Sequence, residues 1–183
     1  MRRLHSFAAV GLGALVALAP VAAPAATEVV FVSGAFRRSI PVADLEHLAA
    51  TGQARGLLAD LIRFGRQKPG QVGQLLNLSI TLPLVPTSRF LSSAPGTAIL
   101  RRVGRILFPL KAPGEAVPAL RAATINGLVS GNGRITPVGF LRAYPNSDLA
   151  VSIPALRAAM NQVEAMGGVV KGLLDTDIKP NVK

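Results

Sequence analysis

Few residues in this chain have side chains suited to nucleophilic or acid–base chemistry. The 183-residue sequence contains no cysteine and two histidines, and only His47 lies in the predicted folded part. A serine nucleophile needs a base within hydrogen-bond reach and a third group that orients the base. No serine shows such a pattern with His47. We therefore interpret His47 as a partly exposed helix residue and predict no catalytic site.

Carboxylates and glycines offer no clearer chemistry. The pairs Asp44/Glu46 and Asp175/Asp177 are two residues apart, and on a helix this spacing points the side chains away from each other. One histidine with scattered acids does not predict a metal site. Residues 131–133, Gly-Asn-Gly, lack the long glycine pattern and the lysine of a phosphate loop, and we predict a turn over residues 130–133. We predict no metal, no cofactor and no enzymatic activity.

One basic amphipathic segment, residues 97–111, stands out. Its predicted helix, residues 97–108, has an apolar side formed by Ile99, Leu100, Val103, Ile106 and Leu107. Such a helix can lie on an anionic membrane surface. The residues predicted to contact a lipid or an anionic surface are Arg101, Arg102, Arg105, Ile106, Leu107, Phe108 and Lys111. The alternative is a core helix whose arginines are solvated. A second basic cluster comprises Arg63, Arg66 and Lys68.

The first 25 residues have the pattern of a secretory signal peptide. Arg2 and Arg3 are followed by an uncharged apolar stretch over residues 7–19, and small residues lie around the predicted cleavage site after Ala25. The apolar stretch is shorter than the roughly 20 residues that span a bilayer. We predict an exported protein, periplasmic or extracellular, with a helical domain over residues 26–174 and a polar tail over residues 175–183.

The charge of the predicted mature part is strongly positive. Without Arg2 and Arg3, 18 of the 20 lysines and arginines remain against 9 acidic residues. This balance favours anionic partners such as lipid headgroups, although simple solubility explains it equally well. Six phenylalanines and one tyrosine give little surface for stacking on bases, so we predict no nucleic-acid partner.

The periodicity predicts a mainly α fold: a compact multi-helix domain with a small N-terminal β-hairpin. The hairpin strands are predicted over residues 28–32 and 36–42. Asp44 is predicted to cap the first helix and Gly52 to end it, and Thr136 is predicted to cap a helix that begins at Pro137. The predicted helices span residues 45–51, 54–65, 87–92, 97–108, 115–129, 137–143 and 154–174, and one more begins at residue 69. Residues 149–153 are a candidate further strand, which could pair with the hairpin.

Several short matches, in order, give the chain a family resemblance. They include residues 34–36 (Gly-Ala-Phe), 39–42 (Ser-Ile-Pro-Val), 119–123 (Ala-Leu-Arg-Ala-Ala) and 144–145 (Tyr-Pro). Over roughly residues 29–163 the chain resembles a cyanobacterial domain of unknown function. That domain usually precedes an alpha/beta hydrolase domain similar to platelet-activating-factor acetylhydrolases and dienelactone hydrolases. The resemblance implies a mainly helical module, standing here without the hydrolase part.

The nucleophile turn of alpha/beta hydrolases has no counterpart in this sequence. That turn reads Gly-x-Ser-x-Gly and is followed along the chain by an acid and a histidine. No such pattern occurs here, and no histidine follows Ser130, which has glycines nearby at another spacing. The first hypothesis is an exported, non-catalytic helical module that binds an apolar or anionic envelope ligand: a lipid, a pigment or the membrane surface. The alternative is an accessory partner that acts in trans on an alpha/beta hydrolase. An independent hydrolase comes third. The oligomeric state is left open.

Overall fold

The structure, a computed structural model, describes residues 25–162. The predicted signal peptide, apart from Ala25, and the predicted tail lie outside the described residues, as do residues 163–174 of the predicted last helix. The elements, in chain order, are β1 (Glu28–Ser33), β2 (Phe36–Pro41), α1 (Val42–Thr51), α2 (Gly56–Phe64), α3 (Pro69–Leu76), β3 (Ile80–Thr81), α4 (Leu84–Ser92), α5 (Ala94–Gly104), β4 (Leu107–Pro109), a 3₁₀ turn (Pro113–Glu115), α6 (Ala116–Ser130), β5 (Arg134–Ile135), α7 (Pro137–Arg142) and β6 (Asp148–Ser152). Residues 153–162 are helical. The fold is mainly α with a small N-terminal hairpin, as predicted.

The predicted hairpin forms one side of a four-stranded sheet in the order β2-β1-β6-β4. Within it β1 pairs antiparallel with β2, from Glu28 opposite Pro41 to Ser33 opposite Phe36. The candidate strand near residues 149–153 is confirmed as β6, which pairs parallel with β1. β4 was not predicted, and it pairs antiparallel with β6. β3 and β5 make a separate two-stranded ribbon.

Two predicted helix boundaries are confirmed by their capping geometry. Gly52 follows α1 with a φ of 72°, and its amide donates to the carbonyl of Leu48 at 2.8 Å. This left-handed conformation is the usual reason for glycine after a helix. At the start of α7, the Thr136 hydroxyl accepts from the amide of Gly139 at 2.9 Å. Local sequence therefore sets the end of α1 and the start of α7.

Three predicted helix starts are wrong, and one of them is that of α5, which begins at Ala94 rather than at residue 97. α1 begins at Val42, directly after β2, so Asp44 lies in its first turn and makes no cap; its carboxylate is 3.6 Å from Arg55 instead. α4 begins at Leu84 rather than at residue 87. Pro86 is tolerated there because the first turn of a helix needs no intrahelical N–H donor.

The core has two clusters, which share Phe31 and Leu45 at their boundary. The larger cluster includes the fully buried Tyr144 together with small residues of α6 such as Ala119 and Ala123. Small side chains let neighbouring elements approach α6 closely, and α4, α5, α7, β4 and β5 all contact it. α6 is thus the central element, and its C-terminal end reaches the β3–β5 ribbon.

Candidate functional site

The predicted basic helix ends four residues earlier than its sequence suggests. α5 stops at Gly104, and Leu107 and Phe108 lie in β4, opposite Val151 and Ala150 of β6. The prediction of a helix through residue 108 is therefore wrong. The backbone of residues 107–109 bonds to β6, and Pro109 cannot continue a helix because it lacks an N–H donor.

The predicted contact residues consequently do not share one surface. Ile106 and Leu107 pack against the larger core cluster, and Phe108 is half-buried. Ile99, predicted for the apolar side with Leu100 and Val103, is exposed, whereas Leu100 is buried. Three exposed arginines remain together, and we call them the α5 basic surface: Arg101, Arg102 and Arg105. Their contact with a membrane stays a prediction.

Other predicted basic residues are partly neutralised by acids. The ammonium of Lys111 lies 3.0 Å from the carboxylate of Asp148, and this hydrogen bond holds the pKa of Asp148 below its ordinary value. In the second cluster Arg63 pairs with Asp60, three residues earlier on α2.

A cavity of about 410 Å³ lies where α6 ends, between the β3–β5 ribbon and α7. Its size falls in the range of roughly 300–1,000 Å³ that is common for small-molecule sites. We call it the basic cavity. Its lining combines two arginines, three hydroxyls and four residues with little or no side chain: Arg134, Arg142, Ser79, Ser130, Thr136, Gly127, Gly131, Gly139 and Ala143.

A tight turn after α6 brings the walls of this cavity together. Asn132 and Gly133 have φ values of 51° and 83°, a left-handed conformation that asparagine and glycine tolerate. The chain then reverses into β5, where Arg134 is opposite Thr81 of β3. The amide of Leu82 donates to the carbonyl of Gly133 at 2.9 Å and extends this pairing.

Glycines make the close packing around the cavity possible. A Cβ on Gly131 would lie 1.9 Å from the carbonyl oxygen of Arg134. A Cβ on Gly127 would lie 2.9 Å from Cδ1 of Ile135. The contact at Gly131 is with backbone, so this position requires glycine if β5 is to fold back onto α6. At Gly127 a larger residue would require the Ile135 side chain to shift.

The two arginines of the cavity differ in their partners. Nε of Arg142 donates to Oε1 of Glu46 at 2.6 Å, and this bond and charge raise the pKa of Arg142. For Arg134, the described residues provide no ion pair. Glu46 thus balances one positive charge, and the charge of Arg134 remains available to an anion.

This arrangement suits anion binding better than bond cleavage. Guanidinium groups and hydroxyls are hydrogen-bond donors, and arginine matches the geometry of carboxylates and phosphates. Among the described residues that line the cavity there is no histidine, aspartate or glutamate to act as a base for Ser79 or Ser130. His47 lies on α1, half-buried, and does not line the cavity.

A second, more open cavity of about 550 Å³ adjoins the same ribbon. We call it the apolar groove. Most of its lining is aliphatic, and none of it is charged: Thr81, Leu82, Pro83, Leu84, Leu128, Val129, Asn132 and Gly133. Sequence reasoning did not identify either cavity, because their walls come from segments about 50 residues apart.

Within residues 25–162 no group of histidines and acids is arranged to hold a metal ion. In the same part of the chain, no helix has the length and apolar character needed to cross a membrane.

One protein family matches residues 25–152, and its description reads "Alpha/beta hydrolase of unknown function". The match covers more than half of the chain. The chain belongs to this family. Comparisons with curated proteins and with solved structures gave no match. The matched residues include the α5 basic surface, the basic cavity and the apolar groove, so each of them belongs to the shared family region.

Proposed function

We propose that this domain is a non-catalytic binding module for an anionic ligand of the cell envelope, and that the basic cavity holds the anion. The observation that carries the proposal is Arg134, whose charge no described acid balances, beside hydroxyl donors in a cavity of ligand size. Phosphate and carboxylate are the groups that such donors bind best. The export of the chain is supported by the signal-like pattern of residues 1–25.

Calorimetric titration with sn-glycerol 3-phosphate at low ionic strength tests the anion site. We expect Arg134→Ala to weaken binding at least about tenfold, since a charge-assisted hydrogen-bond pair is lost. Arg101→Ala is the matched control, because it removes one exposed arginine from α5 and the same net charge. We expect it to change the affinity by less than about twofold. Equal weakening by both variants, or no binding by the wild type, contradicts the proposal.

The non-catalytic part of the proposal is tested with an activated ester such as p-nitrophenyl butyrate. A serine without a base is a weak nucleophile, so we expect no hydrolysis above the buffer rate. The control variants are Ser130→Ala and His47→Ala, since these residues are the best remaining nucleophile and base. A wild-type rate that persists through purification and disappears in either variant would identify the chain as a hydrolase.

A second candidate function is that of an accessory partner for an alpha/beta hydrolase. The family description, which names such a hydrolase, supports it. The test is to cross-link the chain in its own envelope, to purify any alpha/beta hydrolase joined to it, and to assay that enzyme with and without added chain. We expect the added chain to change the rate of ester hydrolysis. An unchanged rate at saturating chain would reject this role.

A further inference from the structure

We propose that the ligand is an anionic amphiphile, with its phosphate headgroup in the basic cavity and an acyl chain in the apolar groove. This inference rests on the proposed function, because the headgroup site is the anion site described there. It adds the chemical class of the ligand and a second subsite. The observation that supports it is that residues 127–134 line both cavities.

The two cavities alternate along residues 127–134. The apolar groove is lined by Leu128, Val129, Asn132 and Gly133, and the basic cavity is lined by Gly127, Ser130, Gly131 and Arg134. Consecutive Cα atoms are about 3.8 Å apart. The two cavities therefore share this segment as part of their walls.

The register of the ribbon places the boundary between the cavities at Arg134. Thr81, a groove residue, is directly opposite Arg134, a residue of the basic cavity. Directly opposite residues of an antiparallel pair project from the same face of the ribbon. The charge of Arg134 thus lies next to Thr81, at the edge of the apolar groove and on the same face of the ribbon.

The groove itself exposes apolar side chains that have no cover among the described residues. Val129 is 59% exposed and Leu84 is 37% exposed. Exposed apolar side chains that line one cavity are a common feature of contact sites.

Charge complementarity selects the occupant of the groove. The occupant must be apolar along the groove and negative where it meets Arg134, and an acyl chain with a phosphate headgroup has this distribution. A second copy of the predicted mature chain would bring 18 lysines and arginines against 9 acidic residues toward an arginine. Like charges placed together oppose such an association.

The test compares two soluble probes that share a headgroup: sn-glycerol 3-phosphate and dihexanoyl phosphatidic acid below its micelle concentration. We expect the wild type to bind the lipid at least about tenfold more tightly, because the acyl chains lose contact with water. The double variant Leu84→Ser/Val129→Ser should bring the ratio of the two affinities close to one. Val85→Ser is the matched control: Val85 is 57% exposed, adjoins Leu84 and does not line the groove. It should keep the wild-type ratio.

The outcomes separate this inference from the proposed function. Equal affinities of the wild type for both probes would leave the anion site standing and reject the acyl subsite. An unchanged ratio in the double variant would reject it as well. Binding of neither probe would reject the anion site, and the inference with it. Circular dichroism melting checks that each variant folds, and Val129→Ser alone provides a second test at the more exposed position.

Discussion

The α5 basic surface and the basic cavity both present arginines, but they differ in how those arginines are held. The α5 arginines lie on one helix and the turn after it, close in sequence and open to water. The arginines of the cavity come from β5 and α7, in a concave site whose walls also include α6 and a residue next to β3. All five arginines are exposed, so the difference between the regions lies in the concave surface that distant segments build around Arg134 and Arg142.

The largest difference between the two regions should appear when a glycine is replaced in each. We expect Gly131→Ala to destabilise the protein by about 3 kcal/mol, because its Cβ would lie 1.9 Å from a carbonyl oxygen. Gly104→Ala places a Cβ 2.9 Å from Cβ of Ala116, and we expect a loss of about 1 kcal/mol. Urea unfolding measures both. Similar losses would show that the turn beside the cavity is not packed as described.

The next largest effect concerns Tyr144, which lies in the core that supports both regions. Its hydroxyl is buried and has no hydrogen-bond partner among the described residues. We expect Tyr144→Phe to stabilise the protein by about 1 kcal/mol, since the cost of burying an unpaired hydroxyl is removed. The affinity for sn-glycerol 3-phosphate should not change. A clear destabilisation in urea would contradict this expectation.

The same residue predicts a loss of stability at alkaline pH. Burial raises the pKa of Tyr144 above its ordinary value of 10.0. Because the unfolded state ionises first, this group leaves the free energy of unfolding independent of pH below about pH 10 and lowers it as the pH rises toward the folded pKa. Tyr144 is the only tyrosine, so phenolate absorbance reports this group alone. Ionisation near pH 10 without unfolding would contradict its burial.

A smaller effect should distinguish the acidic partners of the two regions. Glu46→Gln removes the acid that balances Arg142, and we expect it to raise the affinity for sn-glycerol 3-phosphate by about threefold. Asp148→Asn removes the partner of Lys111, outside the cavity, and changes the net charge equally. We expect it to leave the affinity within about 1.5-fold of the wild type. Equal gains in calorimetric titrations would mean that only net charge matters.

The smallest effect is on acid stability. Because Lys111 lowers the pKa of Asp148, the stabilisation by this pair is present above the unfolded pKa of about 3.8 and is lost as the pH falls through the folded value. Asp148→Asn should remove this part of the pH dependence and leave the rest. Unfolding curves recorded from pH 5 to pH 2 measure it. An unaltered pH profile would show that the pair contributes nothing.

Local signals predicted much of the fold. Gly52 and Thr136 mark helix boundaries because each acts within a few residues of its own backbone. The hairpin was predictable for the same reason. The end of α5 was not, since β6 pairs with residues 107–109 from at least 40 positions away.

The candidate site was beyond prediction for the same physical reason. Pairing of β3 with β5 joins two-residue strands separated by more than 50 positions, and no periodicity exists in so short a strand. The turn at residues 130–133 was recognised, yet nothing in it indicated that Ser79 and Arg142 would face the same cavity. The spacing of Gly127 and Gly131, one helical turn apart, was the signal of close packing that the sequence did contain.

Backbone amide chemical-shift mapping of the isotopically labelled protein, titrated with sn-glycerol 3-phosphate, tests the central claim most directly. The account predicts that the largest shifts occur at Ser130, Gly131, Arg134 and Gly139, around the basic cavity. Small shifts are expected at the α5 basic surface, because its arginines are expected to make only solvent-screened interactions with the anion. Largest shifts at Arg101, Arg102 and Arg105, or no shifts at all, would contradict the account.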